Sequence, residues 1–259
     1  MKDTSNAVAE ARDIQKTAYP ILFAIAFAHL LNDMLQSVIP SAYPILKESY
    51  RLSFTQIGLI TFAYQMAASI LQPFVGFYTD KKPQPHSQVY GMLFTLCGIV
   101  LLSFANHFYI IIPAVVLVGI GSSIFHPEAS RISFLASGGR RGLAQSVFQL
   151  GGNAGTAVGP LLVALLVVPN GQRHILLFVA VAVLALAVLS HIARWYGRHL
   201  SLRSKKPAVI LLPGLPKNKV RVSVAILLVL IFSKFFYTAG MSSYFTFYLI
   251  EKFGLSVQD

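Results

Sequence analysis

Apolar residues in this chain come in long runs, with no sustained alternation of polar and apolar positions. Seven runs stand out, at about residues 19–46, 57–79, 88–105, 109–136, 144–168, 174–194 and 222–250. A helix needs roughly 20 mostly apolar residues to cross the hydrocarbon core, and each run is of that order. The period-2 alternation of a membrane β-barrel is absent. Backbone N–H and C=O groups in lipid must be satisfied within the segment, so each run is predicted to be a helix. The predicted fold class is an all-α polytopic membrane protein. The polar stretch Met1–Thr17 precedes the first run. A cleaved signal peptide would have a shorter apolar core and a small-residue cleavage site, so the first run is read as a retained span.

Composition agrees with this reading. Of 259 residues, 55% are hydrophobic and only 12% are charged, against about 25% charged in a soluble domain. A mean hydropathy of +0.65 also excludes a disordered segment, which needs low hydrophobicity. The one cysteine, Cys97, lies in an apolar run and excludes a disulfide scaffold. The net charge of +12 would suggest a nucleic-acid partner in a soluble protein. Here its distribution is topological. Sixteen of the lysines and arginines fall in the N-terminal tail and alternate loops, against three on the other side, which predicts a cytoplasmic N-terminus and no nucleic-acid partner. The organisation expected is a six-helix bundle over residues 1–194, a basic cytoplasmic linker over 195–221, and a seventh span within 222–259.

The ends of the first and seventh runs match. Leu46, Glu48, Tyr50, Leu52 and Ser53 correspond to Leu249, Glu251, Phe253, Leu255 and Ser256 at a constant offset of 203 residues. Internal repeats are common in transporters. The expectation is that the seventh span opens a second copy of the six-span unit, whose remainder, a C-terminal half, would lie outside this chain.

Ionisable residues inside a span are costly and usually face a cavity or the bundle interior. Asp33 lies in the first span, Glu128 and Arg131 in the fourth, and Lys234 in the seventh, so these three spans are expected to line a polar pathway. Asp33 is about 21 Å into its span and Lys234 about 18 Å into its own, at 1.5 Å per residue. At similar depth they can pair, or share an ionic substrate. His29 precedes Asp33 by four residues and shares its helix face. Such a carboxylate can load and release a proton, or Asn32 and Asp33 can simply hold helices together. Glu128 and Arg131, three apart, can pair on one face, either contacting a substrate or capping a helix that Pro127 would kink. His126 and Glu128 are two apart and do not share a face, so this stretch offers no zinc site.

Two motifs accompany these charges. After the second run comes Gly76-Phe-Tyr-Thr-Asp80-Lys81-Lys82-Pro83, which resembles the G-x-x-x-D-[RK] loop of the major facilitator superfamily. The superfamily's later glycine is missing from it. Gly76 is expected to allow close helix approach, and Asp80 to accept hydrogen bonds at a neighbouring helix N-terminus. In the fifth run, Gly155, Gly159 and Pro160 fit a G-x-x-x-G-P element typical of antiporters in that superfamily, although its closing glycine pair is replaced by Val163 and Ala164. Small residues at i and i+4 also serve ordinary close packing.

Whole segments carry the resemblance further. His29–Asp33, Phe125–Arg131, Ala136–Arg140, Gly142–Ser146 and Phe232–Tyr237 look like the bacterial fosmidomycin resistance family within that superfamily. The resemblance implies a twelve-span inner-membrane antiporter that gives antibiotic resistance by proton-driven efflux of a small anionic phosphonate, with no cofactor and no resident metal. It is compatible with proton-coupling residues Asp33, His29 and Glu128. An anion needs cationic or hydrogen-bonding partners, which points to Lys234 and Arg131, with His126 and Tyr237 beside them. Two other readings stand against this one. One is a non-transporting membrane scaffold. The other is an intramembrane enzyme, for which no metal-ligand cluster and no nucleophile with a base at helical spacing is found.

Overall fold

The computed structural model describes residues 17–203 and 216–254. Seven helices there are long and apolar enough to cross a membrane. They are α1 (Tyr19–Tyr50), α2 (Phe54–Lys81), α3 (Ser87–Phe104), α4 (Phe108–Ala136), α5 (Arg141–Val167), α6 (Phe178–Arg203) and α7 (Lys217–Phe253). The chain is an all-α polytopic membrane protein. Each predicted run falls within one helix or nearly so.

Local sequence explains the boundaries. α1 is interrupted at Ala42, two residues before Pro44, whose missing N–H cannot extend the helical ladder. Ser53 caps α2: its hydroxyl accepts from Gln56 N at 3.2 Å, and Gln56 Oε1 accepts from Ser53 N at 2.8 Å. This reciprocal box satisfies two otherwise orphaned donors. α4 continues as one helix through Pro113 and Pro127. The turn between α4 and α5 uses Gly138 and Gly139 at φ 56° and 92°, a region that glycine enters without a Cβ clash.

Two corrections concern length. The sixth run is expected to stop at residue 194, but α6 continues to Arg203. The seventh is expected from 222, but α7 starts at Lys217. Hydropathy marks the part of a helix that lipid covers. The helix itself continues into the polar interface, where its backbone stays hydrogen-bonded internally and arginine stems reach outward. The expected linker therefore loses residues 195–203 and 217–221 to helix, and 204–215 lie outside the described residues, as does the end of the repeat at Leu255 and Ser256.

α1 packs most extensively on α5, α3 on α4, and α2 on α4. Glycines set these distances. A Cβ at Gly151, Gly155 or Gly159 would come within 2.0, 2.1 or 1.8 Å of Ala26 O, Leu30 O or Ser37 Oγ of α1. The stripe at i, i+4, i+8 brings the two backbones into contact, as small residues do in lipid. Gly119 does the same for α4 against α2, 2.7 Å from Tyr64 O, and Gly121 for α4 against α3. At the end holding Tyr50 and Phe104, the Tyr50 hydroxyl lies 2.6 Å from both Ala105 O and Gln172 Oε1, while Gln172 Nε2 donates to Leu102 O and Ala105 O. α7 is different. Every described side chain from Asn218 to Thr238 is exposed, and only Ser243 and Phe247 are buried. It meets the rest of the chain near the ends of α1 and α2 that face Phe54.

Candidate functional site

Between α1, α2, α4 and α7 lies a cavity of about 630 Å³, within the range of small-molecule sites. α1 contributes Gln36, Pro40 and Tyr43, and α4 contributes Ser122 and His126. α2 supplies the largest polar share: Thr61, Tyr64, Gln65, Ser69 and Gln72. α7 closes one side with Phe235, Thr238, Ala239, Ser242 and Ser243, positions that share one helical face. α1, α4 and α7 border this cavity, though none of Asp33, Glu128, Arg131 and Lys234 is on its wall, and α2, which has no charge in its apolar core, lines more of it.

Hydrogen bonds tie the wall together. Tyr64 donates to Gln36 Oε1 at 2.5 Å and Ser122 Oγ to the same oxygen at 3.2 Å, joining α1, α2 and α4. Nearer the Phe54 end, the Tyr43 and Thr61 hydroxyls lie 2.8 Å apart, and Thr61 Oγ1 lies 3.3 Å from Ser243 Oγ of α7. The Lys47 ammonium sits over the Phe54 ring at 4.6 Å, and Phe54 meets Phe247 edge-on at 5.4 Å. These contacts hold α7 against α1 and α2 at that end of the cavity.

Beside the cavity is a charged group assembled from two helices. His29 Nε2 lies 3.2 Å from Asp33 Oδ2, and His126 Nε2 lies 3.6 Å from Asp33 Oδ1. Asn32 Nδ2 donates to Asp33 Oδ1 at 3.0 Å. His29 stacks on Phe148 at 4.0 Å and donates from Nδ1 to Phe148 O at 2.8 Å. His126 donates from Nδ1 to Ser122 O at 3.0 Å. A carbonyl oxygen only accepts, so both Nδ1 atoms carry hydrogen. Both Nε2 atoms therefore face the carboxylate, as protonated donors or as lone pairs. His29 is 4% exposed in its side chain, Asp33 19% and His126 31%, so the group grades from buried to cavity-facing. Gly152 leaves room for it: a Cβ there would lie 2.5 Å from His29 Cε1 and 2.9 Å from Asp33 Oδ2.

Arg131 belongs to a separate cluster. Its guanidinium donates to Glu128 Oε1 at 2.5 Å and to Asp80 Oδ1, linking the end of α2 to α4. Glu128 is fully buried. Asp80 thus accepts from a side chain rather than from a helix N-terminus. Gly76 is not a close-approach position, since a Cβ there would meet Pro127 Cβ at an ordinary 3.9 Å. Lys81 lies over the Phe77 ring at 3.9 Å.

The structure therefore brings together Asp33, His29 and His126, and, apart from them, Glu128, Arg131 and Asp80. It does not bring Lys234 to Asp33: Lys234 is exposed and makes no ion pair among the described residues. Tyr237 is 68% exposed, on the face of α7 opposite the one that lines the cavity. Gln36, Tyr64, Thr61, Gln65, Ser69 and Gln72 were missed by a search for charges. Their signal was present: positions 61, 65, 69 and 72 form a polar stripe at helical spacing in an otherwise apolar span. The pairing of His126 with His29 and Asp33, across more than 90 residues, left no trace in local spacing.

Comparison with known proteins places this geometry. The chain is 52% identical over 244 residues to the fosmidomycin resistance protein of Escherichia coli (strain K12), covering 94% of this chain and 60% of that protein. It is 48% identical over 190 residues to an uncharacterized MFS-type transporter, YfnC, of Bacillus subtilis (strain 168), covering 73% of this chain and 46% of that protein. The chain thus spans about 60% or less of the length of these relatives. Among solved structures, the peptide transporter POT in complex with sulfate matches with a TM-score of 0.55 at 16% identity, over 92% of this chain and 48% of that one. A POT variant in complex with alafosfalin matches with a TM-score of 0.57 at 17% identity, over 83% and 46%. These two likenesses concern the fold alone. The Major Facilitator Superfamily model matches residues 25–259; in keeping with the seven membrane-spanning helices, this makes the chain a member of the Major Facilitator Superfamily.

Proposed function

We propose that this chain forms the N-terminal part of a secondary transporter that exports a small anionic phosphonate of the fosmidomycin type across the bacterial inner membrane, in exchange for protons, by alternating access. The N-terminus is cytoplasmic in this reading. The observation that carries it is the polar cavity bordered by the His29–Asp33–His126 group. A carboxylate with two imidazoles can exchange a proton with the cavity, and the hydroxyls and amides of α1 and α2 supply hydrogen bonds to oxyanions. The 52% identity to a fosmidomycin resistance protein supports the substrate class.

In this proposal Asp33 and His29 hold the coupling proton, and His126 faces both it and the substrate. His126 is the only basic side chain on the described cavity wall. Glu128 and Arg131, joined to Asp80, act as a latch between α2 and α4. Lys234 and Tyr237 reach the substrate only if α7 turns its exposed face inward. The chemistry is carriage rather than catalysis.

Equilibrium binding of fosmidomycin tests the anion site, using the chain completed to the length of the E. coli relative. His126→Gln is expected to weaken binding about tenfold, the scale of one charge-assisted hydrogen bond. Lys234→Gln is expected to have a smaller effect. Unchanged affinity in His126→Gln would contradict the assignment.

A further inference from the structure

We infer that His29 Nε2, His126 Nε2 and the Asp33 carboxylate form a binding site for one divalent transition-metal ion of the zinc class, open to the cavity. The three side chains each offer a donor atom within 4.8 Å of the others. Two ligands about 2.1 Å from one ion in a tetrahedral array lie about 3.4 Å apart. The two imidazole nitrogens stand 3.2 Å from Asp33 Oδ2 and 3.6 Å from Asp33 Oδ1, each near that value but on different carboxylate oxygens, so the rings and the carboxylate adjust around the ion.

The outer contacts point the same way. Metal-binding histidines usually donate their other ring N–H to a carbonyl or carboxylate, which fixes the ring and the tautomer. Both histidines do this here, through Phe148 O and Ser122 O. In the neutral state this leaves two nitrogen lone pairs and a carboxylate converging on one point. Such a convergence is repulsive until a proton on one of the Nε2 atoms or a bound cation relieves it. Two imidazoles and a carboxylate favour borderline divalent ions such as Zn²⁺, Co²⁺ or Ni²⁺, whereas Mg²⁺ and Ca²⁺ prefer all-oxygen shells.

Three protein ligands leave a coordination position open. Of the three, His126 lines the cavity, so water or an oxyanion from the cavity can complete the shell. The site also differs from a chance surface cluster. His29 is 3% exposed and is held between Phe125 and Phe148, so one ligand is fixed before the ion arrives. The inference does not depend on proton coupling, because occupancy is read at equilibrium without transport.

The test is equilibrium dialysis of the chain completed to the length of its E. coli relative, purified in detergent micelles, against Zn²⁺, with Co²⁺ as an optical probe of ligand geometry. One saturable site per chain is expected, with a tetrahedral-type Co²⁺ spectrum and no displacement by excess Mg²⁺. His126→Ala and Asp33→Asn should each lower the affinity about tenfold or more. His191→Ala, on the exposed face of α6, should leave it unchanged. His126→Gln, closer in size to histidine, serves if the alanine variant fails to elute as a monodisperse species. Absence of a saturable site, or a site indifferent to both His126 variants and to Asp33→Asn, would overturn the inference.

Discussion

At the residue scale, the sharpest energetic statement concerns Glu128 and Arg131. A fully buried carboxylate is tolerated because a guanidinium three residues on reaches it and also reaches Asp80. Removing one partner of a buried pair leaves an uncompensated charge and costs about 3–5 kcal/mol. Arg131→Ala is therefore expected to lower the thermal unfolding temperature sharply. The double variant Arg131→Met with Glu128→Leu should recover most of the loss, because replacing both partners with apolar groups is often near neutral. A double variant as unstable as Arg131→Ala would show that the pair is not the source. Charge in a span was legible in the sequence, as was the i, i+3 pairing of Glu128 with Arg131. What could not be read was the third member: Asp80 is 51 residues away, and only the packing of α2 on α4 brings it there. The same limit hid His126 from Asp33.

At the element scale, α1 and α5 depend on the glycine stripe between them. Gly155→Ala would place a methyl group about 2 Å from a backbone oxygen of α1, which no rotamer can relieve. Overpacking of this kind costs typically about 1–3 kcal/mol, so a clear drop in thermal stability is expected. Gly142→Ala, in α5 with nothing within 4 Å, should be neutral or slightly stabilising, since alanine is the better helix former. Equal effects at the two positions would mean that backbone entropy, not contact, governs both. The G-x-x-x-G spacing predicted close approach correctly for Gly155 and Gly159. The analogous reading of Gly76 failed because a motif loop does not say which helix passes it. Helix positions were legible throughout, because lipid enforces a simple length rule. Helix ends in the interface were not, because hydropathy is blind to a helix that continues into polar surroundings.

At the scale of the whole molecule, six helices form a packed bundle while α7 touches it mainly at one end. The described cavity consequently has a firm wall from α1, α2 and α4, and a lightly attached one from α7. The expected role of span 7 was half legible: its line of Thr238, Ser242 and Ser243 does face the cavity, yet its lysine does not. Which face of a helix turns inward depends on neighbours, and a single charge cannot fix it. The cost of charge in lipid pointed to spans 1, 4 and 7, yet spans 4 and 7 border the cavity through Ser122, His126, Thr238, Ser242 and Ser243 rather than through their charges. The contribution of span 2 could not be read from that cost, because hydroxyls and amides are cheap enough to be overlooked. All of this converges on the cavity beside which Asp33 and its two histidines meet, the group proposed to hold the coupling proton. The most direct measurement is fosmidomycin uptake into inside-out membrane vesicles with an acidic lumen, using the chain completed to the length of its E. coli relative. The account predicts uptake that disappears when the pH gradient is collapsed and when Asp33 is replaced by Asn. Gradient-driven uptake that survives intact in Asp33→Asn would contradict it.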